Sequence, residues 1–395
     1  MSLEISRFAQ SIGGSTIVSM RRKADAIAAS GIKVIDFGPG EPDFDVPAPI
    51  AEAAIRAIEA GHSHYIDPRG LPELRQQVAR FEADQHNLSV DPDCIVITTG
   101  TFGALSIVSR AILNPGDEVI FLEPLWDPYR NVILLTGATP VGVPMPKVDG
   151  RFEIDADRIT SAVTPRTKAI VVNTPWNPTG RVLNREELVA IANVAIERDL
   201  WIVADEVYSE IVFDEAEHIS IASLGPDIEK RTIVTTSLSK SFALTGWRIG
   251  YCIAPPELSQ VLGRLNHYTT RGAASMVQHA AIAALTDGMP HVLQMRKEYM
   301  QRRNIIVPAL NQVDGIVCPV PEGGFFAFPE FPEEWGDSTQ LSDRLLSDSG
   351  IVVTPGSDYG ACARHHLRIS FATSQEIIQE GMSRLQDALT GQLDQ

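Results

Sequence analysis

The chain has 395 residues, room for two or three domains or for one large enzyme domain with a satellite. Its 50 acidic against 33 basic side chains give a formal net charge of −17, a field that repels phosphate backbones and anionic lipid, so neither nucleic acid nor a membrane surface is an expected partner. With 44% hydrophobic and 21% charged residues the composition is globular, which excludes a disordered or fibrous chain.

In chain order, the start from Met1 to Phe8 carries Glu4 and lacks the apolar segment of a secretory leader. No later run approaches the ~18 apolar residues that span a bilayer. Cys94, Cys252, Cys318 and Cys362 are far apart and form no C-x-x-C pair, so neither a disulfide framework nor a metal site is expected, and a reducing, cytoplasmic setting fits. Strand-length, β-branched runs then recur at 94–98, 118–122, 168–173, 200–205, 232–236 and 248–254. Helical patterns lie between many of them. The one after Asn184 has an N-cap asparagine with Glu187 at the capping-box position.

Strands buried on both faces and alternating with helices predict an α/β fold, a three-layer α/β/α domain on a mostly parallel sheet. Ligands of such sheets bind at the carboxyl ends of the strands. After Pro255 the pattern turns helical to about residue 312, followed by short strands near 325–328, 351–353 and 367–370 and a last helix from Ser374 to about Leu389. The expected division is a large domain over 46–285 and a smaller, discontinuous α+β domain formed by 1–45 and 286–395.

The most informative stretch is Ser237-Leu-Ser-Lys-Ser-Phe-Ala-Leu-Thr-Gly-Trp-Arg-Ile-Gly. Alone, Lys240 reads as a surface lysine. In this setting Ser237 and Ser239 can donate to phosphate oxygens, Arg248 can grip them with its planar fork, and Gly246 lets backbone come close. The run resembles the pyridoxal-phosphate attachment site of the class I/II aminotransferases, the aspartate-aminotransferase-like enzymes of pyridoxal-phosphate fold type I. That resemblance implies a Schiff base between Lys240 and the cofactor, and an enzyme that moves an amino group from an amino acid to a 2-oxo acid.

Other segments resemble the same family in the same order over about residues 12–390. Asn173-Thr-Pro-Trp-Asn-Pro-Thr-Gly, otherwise a tight turn capped by Asn177, resembles the turn whose second asparagine donates to the cofactor's phenolic oxygen. Val203-Ala-Asp-Glu-Val-Tyr resembles the strand end that places Asp205 on the pyridine nitrogen and Tyr208 on the phenolic oxygen; Asp205 could otherwise cap a helix. Gly100, Thr101 and Phe102 match the phosphate loop at a helix start, where free N–H groups attract anions. Trp126, in other contexts core packing, matches the aromatic residue that stacks on the ring.

On the substrate side, Gly38-Pro-Gly-Glu-Pro-Asp-Phe resembles the turn in which Gly40 touches substrate, and His366-Leu-Arg-Ile-Ser resembles the strand whose arginine, here Arg368, holds the α-carboxylate. Trp126 and Asn177 are expected to contact substrate as well. Tyr65 matches a tyrosine that enters the neighbouring subunit's phosphate site, which implies a homodimer with shared active sites. Phe102 and Ile17 stand where an aspartate-specific branch has polar contacts, and favour a neutral side chain; Arg271 offers another anchor for an acidic one. Lyases, decarboxylases and ligand-sensing regulators share this cofactor site and remain alternatives at this point.

Overall fold

The computed structural model describes residues 4–6, 9–10, 12–14 and 16–390; the side chains of 16–18 and 390, and so that of Ile17, lie outside the described residues. The apolar runs form a seven-stranded sheet in the spatial order Ile95–Thr98, Gly250–Ile253, Thr232–Ser237, Trp201–Asp205, Thr167–Asn173, Glu118–Glu123 and Thr139–Pro144. Gly250–Ile253 runs antiparallel to both neighbours, and the other neighbouring strands are parallel.

Side chains of period two sort this sheet's residues onto two apolar layers. Ile170, Val172, Ile202 and Ala204 face the layer that contains Leu74 and Val78 of helix Pro72–His86 and Leu188 and Ile191 of helix Arg185–Glu197. Ala169, Val171 and Val203 face the opposite layer, with Leu105 and Val108 of helix Gly100–Ile112 and Leu262 of helix Pro256–Thr269. Both faces are therefore dry, and the two central strands end on polar side chains at their carboxyl ends, Asn173 and Asp205. Helix Arg185–Glu197 starts on the Asn184–Glu187 capping box expected from its sequence.

A second apolar body collects Ile35, Phe37, Tyr299, Phe325, Leu341, Ile351, Ile369 and Ile378. Within it Ile35–Asp36 pairs in parallel with Ile351–Val352, and Phe326–Ala327, Leu367–Ser370 and Thr354–Pro355 form an antiparallel ladder. Helices Met289–Asn311, Ser338–Ser349 and Gln375–Thr390 accompany these strands.

Some boundaries differ from those expected. The helical stretch 256–312 is three helices, Pro256–Thr269, Ser275–Asp287 and Met289–Asn311. The first break falls at Arg271-Gly272, both at positive φ, a backbone that no helix continues through. The strand expected from 248 starts at Gly250, because Arg248 is itself left-handed at φ 54°. Thr139–Pro144 escaped the sequence reading since two prolines and a glycine in six residues suggest a loop; as an edge strand it needs partners on one side only. No helix among the described residues is long and apolar enough to cross a membrane, and none of their His, Cys, Asp and Glu side chains cluster in a way that could hold a metal.

Candidate active site

The carboxyl ends of the central strands open into a cavity of about 510 Å³. Asn173 ends one strand, and its buried amide is a cross-tie: Nδ2 donates to the Asp205 carbonyl at 2.9 Å, and Oδ1 accepts from the Asn177 N–H at 2.8 Å. Asp205 ends the next strand and is 2% exposed. Burial pushes its carboxyl up to about 6, opposed by the Tyr129 hydroxyl, which donates to Oδ2 at 2.6 Å, and by the Val207 N–H, which donates to Oδ1 at 3.2 Å. At neutral pH it is an anion. Residues 207–210 are turn and no helix follows directly, so Asp205 caps no helix.

The third strand ends on Ser237, whose hydroxyl accepts from the Ser239 N–H and opens the short helix Leu238–Ser241. This turn directs Lys240 into the cavity, where its Nζ donates to the Gly40 carbonyl. Burial pulls the Lys240 amine down to about 8; Glu41 resists this, and the guanidinium groups of Arg368 and Arg248 add to it.

One end of the cavity is built for an anion. Gly100 opens helix Gly100–Ile112 at φ +74°, and a Cβ there would lie 2.9 Å from Nη2 of Arg248. Thr101, Ser237, Ser239 and Arg248 all line this end, and the buried Thr101 Oγ1 has no hydrogen-bond partner. Helix-start amides, hydroxyls and a guanidinium together make an oxyanion cradle.

The other end belongs to Arg368, fully buried on Leu367–Ser370. Its Nη2 donates to the Gly38 carbonyl at 2.7 Å and its Nη1 to Asn177 Oδ1 at 3.3 Å, with the guanidinium 4.3 Å from the Phe326 ring centroid. Its Nε has no partner. Tyr208 lines the cavity too, and burial keeps its phenol protonated far above the usual range. Trp126 packs between Phe102 and Tyr129, at centroid distances of 5.0 and 5.2 Å.

The structure thus gathers Gly40, Thr101, Phe102, Trp126, Asn177, Asp205, Tyr208, Ser237, Ser239, Lys240, Arg248 and Arg368 around one cavity, with Gly100 behind Arg248. Tyr65 is not among them: it is 85% exposed, with Arg271 stacked 4.4 Å from its ring. Sequence reasoning missed Tyr129 and Asn173, which hold Asp205 in place. Tyr129 lies three residues after Trp126, in the helix Pro128–Leu134 that follows it, and that nearness is the signal available for it.

The profile of the aminotransferase class I and II family matches residues 32–385. The chain belongs to this family. It is 38% identical to the probable aspartate/prephenate aminotransferase of Aquifex aeolicus, over 95% of this chain and 96% of that one. It is 36% identical to the arginine–pyruvate transaminase of Pseudomonas aeruginosa, over 97% of each. A single mutant of Thermus thermophilus aspartate aminotransferase superposes with a TM-score of 0.93 at 34% identity, over 98% of this chain and 100% of the other.

As a class I/II aminotransferase the protein uses pyridoxal phosphate to move an amino group between an amino acid and a 2-oxo acid. The cavity fits that cofactor. It offers an oxyanion cradle with an unpartnered hydroxyl for a phosphate, a buried carboxylate for a protonated ring nitrogen, and an amine of lowered pKa for an aldehyde.

Proposed function

We propose that Lys240 carries the cofactor and is the proton-transfer group of the transamination. The observation behind this is the Lys240 amine, lowered to about 8, in one cavity with the buried Asp205 carboxylate and the oxyanion cradle. When bound, pyridoxal phosphate supplies an electron sink for the charge that develops on the substrate Cα. Thr101, Ser237, Ser239, Arg248 and the amides after Gly100 would hold its phosphate. Asp205 would keep the ring nitrogen protonated, Tyr208 and Asn177 would donate to the phenolic oxygen, and Trp126 would pack against the ring. Arg368 would hold the α-carboxylate beside Gly40, and the Lys240 amine would take the Cα proton. Lys240→Ala should abolish the yellow absorbance of lysine-bound cofactor and nearly all keto-acid formation; an active variant refutes the assignment.

The side-chain end of the cavity supports a neutral amino acid. Phe102, 44% exposed, and Trp126, Met20 and Val353 present apolar surface there, while the charges of Arg21, Asp36 and Glu41 are of both signs. Arg271 does not line this cavity and lies against Tyr65 instead. A panel of amino acids, followed by loss of the lysine-bound absorbance, should favour aliphatic or aromatic side chains over aspartate and glutamate; the reverse order refutes this.

The exposed Tyr65 supports a homodimer in which it reaches the cradle of a second copy. Sedimentation showing a fully active monomer would exclude that. The free cysteines among the described residues fit a cytoplasmic setting. The pairing of Ile35–Asp36 with Ile351–Val352 supports a small domain of 1–45 with 286–395 beside a large one of 46–285.

A further inference from the structure

Behind Asp205, on the far side of its strand end, lies a buried ionic cluster that the reaction does not use. Helix Pro72–His86 contributes Glu82 and His86, the turn after Asp205 contributes Glu206 and Glu210, and His218 and Tyr251 complete it. His86 bridges two carboxylates, with Nδ1 2.7 Å from Glu82 and Nε2 2.8 Å from Glu210. The Tyr251 hydroxyl donates to Glu82 at 2.6 Å. Glu206 takes the Ser220 hydroxyl at 2.9 Å and faces His218 Nε2 at 3.1 Å, and the His86 and His218 rings meet edge to face at 5.2 Å. All these side chains are buried.

Burial alone would neutralise such groups. For His86 and Glu210 it is outweighed: the adjacent Glu210 and Glu82 carboxylates push the His86 imidazole up to about 11, and His86 in turn holds the Glu210 carboxyl below its usual range. The cluster sets three acidic side chains, Glu82, Glu206 and Glu210, against two imidazoles, His86 and His218. Apolar side chains would fill this volume with less desolvation cost, so the charge needs a reason.

The covalent and hydrogen-bonded connections supply one. Glu206 follows Asp205 directly; its N–H donates to the Thr235 carbonyl at 3.0 Å and its carbonyl accepts from the Thr236 hydroxyl at 3.4 Å. Thr236 pairs with Tyr251, and Ser237 of the lysine turn comes next. The cluster therefore clasps, from behind, the three adjacent strand ends that present Asp205 and Lys240.

We propose that Glu206, with His218 and the Glu82–His86–Glu210 bridge, is a positioning cluster for the cofactor: it fixes the strand end of Asp205 and places negative charge behind it that helps keep the ring nitrogen protonated. This rests on the assignment of Asp205 made above. The groups around Glu206 are Asp205 before it at the strand end, His218 and Ser220 on the following segment, Glu210 and His86 across the cluster, and Tyr251 on the neighbouring strand.

The test is a pH titration of the ring nitrogen itself, followed by nitrogen-15 NMR of labelled cofactor in cofactor-loaded protein, with the melting temperature measured alongside. Removing a negative charge lowers the proton affinity of groups near it. Glu206→Gln should move the midpoint down by about 0.5–1 pH unit, the size expected for one charge ~8–10 Å away at an effective dielectric of ~40. Glu210→Gln, farther from Asp205, should move it in the same direction by less. Leu188→Ala, in the apolar layer on the same side of the sheet, should lower the melting temperature and leave the midpoint where it is. An unmoved midpoint in Glu206→Gln, or an equal shift in Leu188→Ala, overturns the proposal. If Glu206→Gln does not fold, Glu210→Gln decides on the same criterion. Wild-type protein that shows no lysine-bound absorbance would instead sink the underlying cofactor assignment.

Discussion

Tyr129→Phe removes one hydrogen bond and little else. The hydroxyl lies 2.6 Å from Asp205 Oδ2, both side chains are buried, and the ring stays anchored against Phe121 and Trp126. A hydrogen bond to a buried charged group contributes about 1.5–3 kcal/mol, and the anionic form of Asp205 loses it selectively. At 1.36 kcal/mol per pH unit this raises the carboxyl by about 1–2 units, from about 6 to about 7–8. The carboxyl of the variant would then be largely protonated at pH 7 and a poor partner for a ring cation. The acid limb of the kcat/KM profile should move up by that amount, with activity recovered at higher pH and cofactor affinity lowered at pH 7. An acid limb and an affinity both equal to wild type would refute the reasoning, since the bond would then not be stabilising the anion.

Lys240, lowered to about 8, should attach the cofactor to apoprotein at a rate that climbs about tenfold per pH unit below 8 and levels above it; a midpoint near the ordinary lysine value of 10.5 counts against the burial argument. Asp205 is an acid whose folded pKa is raised, so its cost to the apoprotein is absent below the unfolded value of 3.8, grows as pH rises to about 6 and is full above that, on the order of 3 kcal/mol. Asp205→Asn should therefore melt higher than wild-type apoprotein at pH 7 while losing turnover, and an equal or lower melting temperature contradicts this. Arg368→Lys exchanges a fork for a point charge and should raise KM for amino acids by about 10–100-fold, a loss of ~1.4–2.8 kcal/mol, with the lysine-bound absorbance intact. Gly100→Ala adds a Cβ at φ +74° and 2.9 Å from Arg248 Nη2, so cofactor affinity should fall; binding as tight as wild type would show the cradle tolerates the shift.

Much of the site was legible because its chemistry is written in contiguous segments. Lys240 with Arg248, Asn177 after Asn173, and Asp205 before Tyr208 are each fixed by one strand end and the turn beyond it, and strand ends of a parallel sheet converge by construction. The large-sheet strands were legible for a related reason: buried on both faces, most of them hold an unbroken run of apolar, largely β-branched residues. What could not be read are pairings made across the sequence. Tyr129 reaches Asp205 from 76 residues away, and the Lys240–Gly40 contact spans 200. Tyr129 and Asn173 look like ordinary fillers of their segments until the fold turns them toward one carboxylate. The edge strand Thr139–Pro144 hid because its prolines are compatible with pairing on one side alone.

The net charge of −17 says nothing about the ligand. At the cavity the averaged sign is reversed: Lys240, Arg248 and Arg368 face inward, and the two arginines push protons off the lysine. A buried carboxylate in that setting has opposing demands. Desolvation drives Asp205 toward the neutral acid, whereas its role toward a ring cation requires the anion. The fold resolves this with directed donors, Tyr129 and the Val207 N–H, that stabilise the anion through hydrogen bonds without adding a positive charge to compete with the ring nitrogen. A lysine or arginine in place of Tyr129 would ionise Asp205 more completely and repel the cation it is there to hold. A neutral donor on a buried carboxylate is thus the arrangement that keeps the acid ionised and its partner site cation-selective.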